Sequence, residues 1–308
     1  MVILGIAMAV LLAVLAATVY CYCVGFYAPR KEKPKTDEIE LPEGEIYEVY
    51  REDFERWARE VRAMPREDVY ITSFDGLKLH GRYYEYSPDA PIELMFHGYR
   101  GSAERDLSGG VQRCFQLGHS CLIVDQRCSG ESEGYTITFG IHEHKDCRKW
   151  LEFMLCRFGP EVKIILTGIS MGAATVLMAA GTDLPENVIG VIADCGYSSA
   201  KEIMYEVIGK MGLPPKLSFP FVKLGARIFG HFDVDETSPL EAMENCKVPV
   251  FFVHGEDDDF VPCWMTRKVY DACKSRKYLF TVPGAGHGLA YPADPEGYLA
   301  AAREFWGK

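Results

Sequence analysis

The stretch that decides the fold is Val162-Lys163-Ile164-Ile165-Leu166-Thr167-Gly168-Ile169-Ser170-Met171-Gly172-Ala173-Ala174-Thr175-Val176-Leu177-Met178. Its opening, a short β-branched apolar run that ends at a glycine, predicts a buried strand. Its close, small and apolar without a break, predicts a helix over 171–180. Between them stands Gly168-x-Ser170-x-Gly172, a serine on a sharp turn from strand to helix. The turn holds the serine in a strained backbone conformation, and side chains two positions before or after it would collide, so glycine is required at both. The same turn presents the hydroxyl at a helix N-terminus, where free N–H groups and the positive end of the dipole favour a developing anion.

The five-residue pattern alone is weak, since roughly 0.1 matches are expected by chance and the strand–turn–helix setting is what gives it meaning. A second match, Gly130-Glu131-Ser132-Glu133-Gly134, lacks that setting. The strand before it ends at Asp125, four residues early, and Tyr135-Thr136-Ile137-Thr138-Phe139 follows instead of a small-residue helix. Ser132 is therefore expected to be a loop residue.

Working outward, Asp75-Gly76 between 69–74 and 77–86 signals a β-hairpin. Strands at 92–96, 121–124, 162–167 and 188–193 then alternate with helices near 103–117, 142–158 and 171–180. The alternation resumes with a strand at 248–253, a helix at 263–273, a strand at 277–282 and a closing helix at 295–305. A hairpin followed by strand–helix repeats predicts an α/β fold, a mostly parallel sheet with helices on both faces. Ligands of such sheets sit beyond the carboxyl ends of the strands, and Ser170 lies at one of them.

A nucleophilic serine needs a base, and the base needs an orienting acid. His287, in Pro283-Gly284-Ala285-Gly286-His287-Gly288, follows the last strand and is the candidate base. The acid belongs after the strand before it, where Glu256-Asp257-Asp258-Asp259 offers four carboxylates, most of them expected to be solvated.

These elements together resemble the α/β-hydrolase superfamily, in particular bacterial membrane-anchored esterase- and lipase-like serine hydrolases, over about residues 66–308. His97-Gly98-Tyr99-Arg100-Gly101-Ser102 is similar to the superfamily's HGxxG loop, which implies the backbone N–H groups of Tyr99 and Met171 as the oxyanion hole. Asp125-Gln126-Arg127-Cys128-Ser129-Gly130 resembles the D-x-R-G-x-G loop, with Cys128 in place of a glycine. The H-G-x-x-D-x-x-V-P element aligns with His254 to Pro262 and implies Asp258 as the acid, ahead of Asp257. Asp194, after the strand at 188–193, is the alternative used by some relatives. Ser170, Asp258 and His287 fall in the chain order the superfamily uses.

Between 196 and 247 the alternation breaks. Two helices, 201–211 and 220–229, with Pro214, Pro215 and Pro220 around them, predict a small lid. Its Met204, Tyr205, Met211, Leu213, Phe219, Phe221, Ile228 and Phe232 either line an acyl pocket or pack the lid on the sheet.

The N-terminus differs from all of this. No charged side chain occurs from Met1 to Pro29, and Val2–Val24 is apolar enough and long enough to span a bilayer. Tyr20, Tyr22, Phe26 and Tyr27 precede Arg30, Lys31, Lys33 and Lys35, as at a membrane interface. Residues 1–28 are thus expected to be a transmembrane anchor, with a cleaved signal peptide as the rival because Val14-Leu15-Ala16 is a passable cleavage site. Residues 29–65 read as a solvated stalk and an amphipathic helix over 46–64, and 66–308 as the hydrolase domain. The basic flank implies that this domain is cytoplasmic, the alternative being an extracytoplasmic one. Eleven cysteines, an odd number without CxxC pairs, agree with a reducing compartment.

The chain of 308 residues carries 44 acidic against 33 basic side chains, a formal charge of −11, which argues against a nucleic-acid partner. No HExxH-type ligand cluster appears, so neither metal nor cofactor is expected. A Ser170–Asp258–His287 triad implies acyl transfer on a small or lipid-derived acyl substrate, with a carboxylic ester as the leading bond type. The second reading is a serine aminopeptidase or endopeptidase, with an oligopeptidase architecture disfavoured because no propeller domain precedes the hydrolase domain, and further alternatives are a thioesterase or acyltransferase and a non-enzymatic binding protein on the same scaffold.

Overall fold

The computed structural model describes residues 1–29 and 39–307. In chain order the elements are α1 (Val2–Gly25), α2 (Glu45–Glu48), α3 (Arg51–Ala63), β1 (Glu67–Thr72), β2 (Lys78–Tyr84), β3 (Ile92–Phe96), α4 (Ala103–Gln116), β4 (Ser120–Asp125), α5 (Glu143–Phe158), β5 (Ile164–Ile169), α6 (Met171–Ala180) and β6 (Val188–Asp194). They continue with α7 (Ala200–Lys210), α8 (Pro215–Phe229), α9 (Pro239–Met243), β7 (Val250–Gly255), α10 (Cys263–Ala272), β8 (Lys277–Val282), α11 (Ala290–Ala293) and α12 (Pro295–Trp306).

The eight strands form one sheet in the order β1-β2-β4-β3-β5-β6-β7-β8. The Asp75-Gly76 turn joins β1 and β2 as an antiparallel hairpin, and β2 also runs antiparallel to β4. From β4 to β8 every neighbour is parallel. Helices cover both faces, so β3, β4 and β7 are buried along their whole length, which is why their sequences read as unbroken apolar runs. This is the α/β-hydrolase fold, with its strand ends gathered where the sequence placed the chemistry.

The expected helix over 46–64 is two pieces: α2 ends at Glu48, and α3 starts at Arg51 after a turn at Val49 and Tyr50. The longer piece turns Trp57, Ala58 and Val61 inward against the domain. In the lid, α8 begins at Pro215, five residues earlier than Pro220. A proline at the first helical position loses nothing, and Pro220 inside the helix lies on its exposed face, where water reaches the carbonyl it leaves unbonded.

The lid side chains divide. Met204, Phe219 and Phe232 are buried in the main core, whereas Met211, Leu213 and Ile228 are exposed. They do not converge on one pocket, because α8 has one face on the sheet domain and another turned outward. Residues near the end of α1 also depart from a freely tethered anchor. Phe26 is fully buried, its ring 5.2 Å from Phe232 and 5.8 Å from Phe139, and Ala28 joins the same core. The basic residues Arg30, Lys31, Lys33 and Lys35 lie outside the described residues. None of the eleven cysteines is in a disulfide.

Candidate active site

Ser170 sits between β5 and α6 with φ 55° and ψ −118°, the strained conformation that the turn requires. Two backbone bonds hold it there: its N–H donates to Asp194 O at 2.8 Å, and its C=O accepts from Ala174 N at 3.1 Å. The flanking glycines are sterically enforced. A Cβ at Gly168 would lie 2.1 Å from Gly172 O, and one at Gly172 would lie 2.1 Å from Phe96 O.

His287, in the loop after β8, has Nε2 2.9 Å from Ser170 Oγ and Nδ1 2.7 Å from Asp258 Oδ2. The four-acid run after β7 resolves by burial: Glu256, Asp257 and Asp259 are exposed, and Asp258 alone turns inward. Its Oδ1 accepts from Phe260 N at 2.9 Å and Val261 N at 2.8 Å. Burial works to raise the Asp258 carboxyl, but hydrogen bonds and charge from His254 and His287 hold it far below the usual carboxylate range. The carboxylate is therefore ionised throughout the physiological range.

His254 opens the His254–Pro262 motif, yet nothing in the sequence gives it a role. It is fully buried, with Nε2 3.2 Å from Asp258 Oδ2 and 2.8 Å from Val261 O, and Nδ1 2.7 Å from Thr266 Oγ1. It approaches the same Asp258 Oδ2 that His287 Nδ1 meets. The alternative acid, Asp194, makes no hydrogen bond to His287 among the described residues. Its Oδ1 is shielded and unpartnered, and burial pushes its carboxyl up to about 6 against the charges of His254, His287 and Arg113.

The loop after β3 passes beside the serine, since a Cβ at Gly98 would lie 3.6 Å from Ser170 Cβ. It is pinned at several points. Gly98 N donates to Asp106 Oδ2 at 3.0 Å, His97 Nδ1 lies 2.8 Å from Gly98 O, and Gln126 donates from its backbone to His97 Nε2 at 3.0 Å and from its side chain to His97 O at 2.6 Å. Burial lowers the His97 imidazole, in keeping with an Nε2 that accepts. Tyr99 follows Gly98, and its side chain points away, with its hydroxyl donating to Gly25 O at 2.8 Å. Met171 opens α6, where the first-turn N–H groups have no acceptor within the helix.

Ser132 lies elsewhere. Its hydroxyl donates to Asp125 O at 2.5 Å and accepts from His80 N at 2.9 Å, a buried structural pairing. Among the described residues, two groups of side chains bring potential metal-ligand atoms within 4.8 Å of one another: Glu93 with Cys114 and His119, and Cys195 with Asp258 and His287. In the first, Glu93 already pairs with Arg113 and His119. In the second, Asp258 and His287 are engaged with each other, and burial keeps the Cys195 thiol protonated. Neither set suits a resident ion.

A family model, the prolyl oligopeptidase family, matches residues 136–308. The uncharacterized protein YqkD of Bacillus subtilis is 27% identical over 277 residues, spanning 89% of this chain and 88% of its own. The uncharacterized membrane protein YNL320W of Saccharomyces cerevisiae is 26% identical over 193 residues, 62% of this chain and 61% of its own. Among solved structures, the Pyrococcus furiosus esterase Pf2001 superposes with a TM-score of 0.65 at 21% identity, covering 89% of this chain and 98% of its own, a likeness of fold. With its family match spanning more than half its length, the chain belongs to the prolyl oligopeptidase family of the α/β-hydrolase superfamily.

Proposed function

We propose that the protein is a serine hydrolase that cleaves carboxylic esters through an acyl-enzyme. The observation that carries this reading is the continuous path from Ser170 Oγ through His287 to the buried carboxylate of Asp258. His287 takes the hydroxyl proton as Ser170 attacks the ester carbonyl, and Asp258 stabilises the imidazolium that forms. The N–H groups of Met171 and Tyr99 receive the oxyanion. The imidazolium then protonates the departing alcohol, and water activated by the same histidine releases the acid. Fluorophosphonate labelling tests the reading: the wild type is expected to react and Ser170→Ala is not, and equal labelling of the two would defeat it. A panel of aryl esters, acyl thioesters and peptidyl amides then assigns the bond, with esters turned over fastest. The family match favours peptidyl amides as the second reading, and the same panel separates the two.

We also propose that α1 anchors the protein in a membrane. It is 24 residues long, free of charge and 6% buried over its most apolar window, and a yeast relative is described as a membrane protein. The basic residues after the helix support a cytoplasmic hydrolase domain, with an extracytoplasmic one as the alternative. Protease added to intact cells should leave it uncut, and digestion from outside would reverse the orientation.

A further inference from the structure

The anchor and the lid are in contact, and their dimensions constrain where the lid lies. Every residue from Met1 to Ala13 is exposed, whereas shielding begins at Val14 and continues through Ala17, Thr18, Cys21 and Tyr22. These residues meet α8. A Cβ at Gly225 would lie 2.9 Å from Thr18 O and 3.1 Å from Tyr22 Cβ, and the Tyr22 and Phe229 rings are 5.5 Å apart. The free part of α1, Val2–Ala13, is about 18 Å long at 1.5 Å per residue. A hydrocarbon core is about 30 Å thick, so this part alone does not cross it. The next two turns, through Tyr20, must also lie at membrane depth, and Gly225 of α8 is packed directly against them.

The surface of α8 fits that position. Leu217, Phe221, Leu224 and Ile228 recur at spacings of four, three and four and form a stripe beside the α1 contact. Leu217 is 71% exposed, Ile228 48% and Leu224 38%, and Met211 and Leu213 extend the apolar surface before the helix begins. Lys223 and Arg227 stand on the far edge, paired with Asp233 and Asp235. A helix with one face on the protein core, an apolar stripe outward and cations on the remaining edge has the form of an interfacial membrane helix.

We propose that α8 is embedded in the same bilayer as α1, with Leu217, Phe221, Leu224 and Ile228 in contact with lipid. This rests on the reading of α1 as an anchor. The lid then works at the membrane surface, and a chain of rings, Phe26 to Phe139 to Tyr99, with centroids 5.8 and 5.1 Å apart, leads from the anchor toward the loop beside Ser170.

The test uses full-length protein reconstituted in phosphatidylcholine vesicles with or without bromine on the acyl chains. Bromolipid quenching is compared for Leu224→Trp, for Leu11→Trp in the free part of α1, and for the wild type, whose Trp57, Trp150, Trp264 and Trp306 supply the background. The emission added by Leu224→Trp is expected to be lost to the same extent as that added by Leu11→Trp. Quenching at position 11 but not at position 224 would overturn the proposal, and a blue shift of the Leu224→Trp emission that grows with protein concentration would assign the stripe to a second copy. Absence of quenching at position 11 would remove the anchor and this proposal together. Fluorophosphonate labelling of Ser170 would still stand, so that failure is distinguishable from failure of the hydrolase reading.

Discussion

The chain contains the same five-residue pattern twice, and the two copies fold to opposite ends. In Gly168–Gly172 the serine projects from a strand–helix turn toward His287. In Gly130–Gly134 the serine is folded inward, bonded to Asp125 O and His80 N. The neighbouring carboxylates diverge as well. Asp194, beside the first copy, has an unpartnered Oδ1 and a carboxyl raised to about 6 by burial. Asp125, beside the second, is held at about 2: burial would raise it, but His80, the nearby charges of Arg82 and His97, and the N–H of Ala103 outweigh that. The same motif thus takes its surroundings from the elements that flank it, and only the first copy sets its serine against a histidine.

The largest separation of the two copies comes from removing each serine oxygen in turn, at the reactive end first. Ser170→Ala is expected to lower kcat on an aryl ester by roughly 10⁶-fold while the urea midpoint stays unchanged, because serine, base and acid act as a unit. Residual turnover within tenfold of wild type would mean that the path through His287 is not the reactive one.

The flanking glycines should separate next. Gly172→Ala forces a Cβ to 2.1 Å from Phe96 O, a backbone atom that cannot swing aside, and it pushes on the strand that leads into His97 and Gly98. A loss of about 4 kcal/mol or more in denaturant unfolding is expected, with activity falling alongside. Gly134→Ala in the second copy meets a side-chain atom, Cys128 Sγ, at 3.0 Å, with φ at +116°. It also meets the Cys128 backbone N at 3.3 Å, and it should cost about 1–3 kcal/mol, chiefly for the positive φ, and leave kcat unchanged. Equal losses would mean that the elbow has no special steric demand.

Much of this was legible before any coordinates. The β5–α6 turn declared itself because a strand, two glycines and a helix had to coincide, and His287 because it stood in a glycine-rich loop after the last strand. The acid was less clear: burial singles out Asp258, and in the sequence only the motif spacing separated it from Asp257. His254 was hidden because a histidine inside an apolar strand carries no periodic signal for the carboxylate four residues later. The start of α8 was misplaced because Pro220 reads as a boundary unless its exposed face is known. The contact between α1 and α8 was illegible, since an apolar span looks the same from sequence whether lipid or a neighbouring helix covers it.

The two carboxylates predict opposite pH dependences. Asp194 holds its proton more tightly when folded, about 6 against an ordinary 3.8, so its contribution is present below about pH 4 and is lost as pH rises through 6. Asp125, held near 2, contributes stability above about pH 4 that is lost as pH falls toward 2. Each shift corresponds to something on the order of 2–3 kcal/mol at about 1.4 kcal/mol per unit. In urea titrations between pH 3 and 8, Asp194→Asn should flatten the decline between 4 and 6, and Asp125→Asn should flatten the acid side. A wild-type-like slope for Asp194→Asn would assign the decline to another group.

The sharpest test of the comparison is at the second serine. Ser132→Ala removes one buried oxygen that serves two partners, so Asp125 O loses a donor and His80 N loses its acceptor within β2. An unsatisfied buried N–H costs about 1–3 kcal/mol, and the lower end applies if a water takes the vacated volume. The catalytic rate per folded molecule should not change, because no bond from Ser132 reaches Ser170, His287 or Asp258 among the described residues. A stability loss with intact kcat separates the structural serine from the reactive one. A fall in kcat with unchanged stability would instead place the loop of Gly130–Gly134 in the active site, and the divergence between the two copies would disappear.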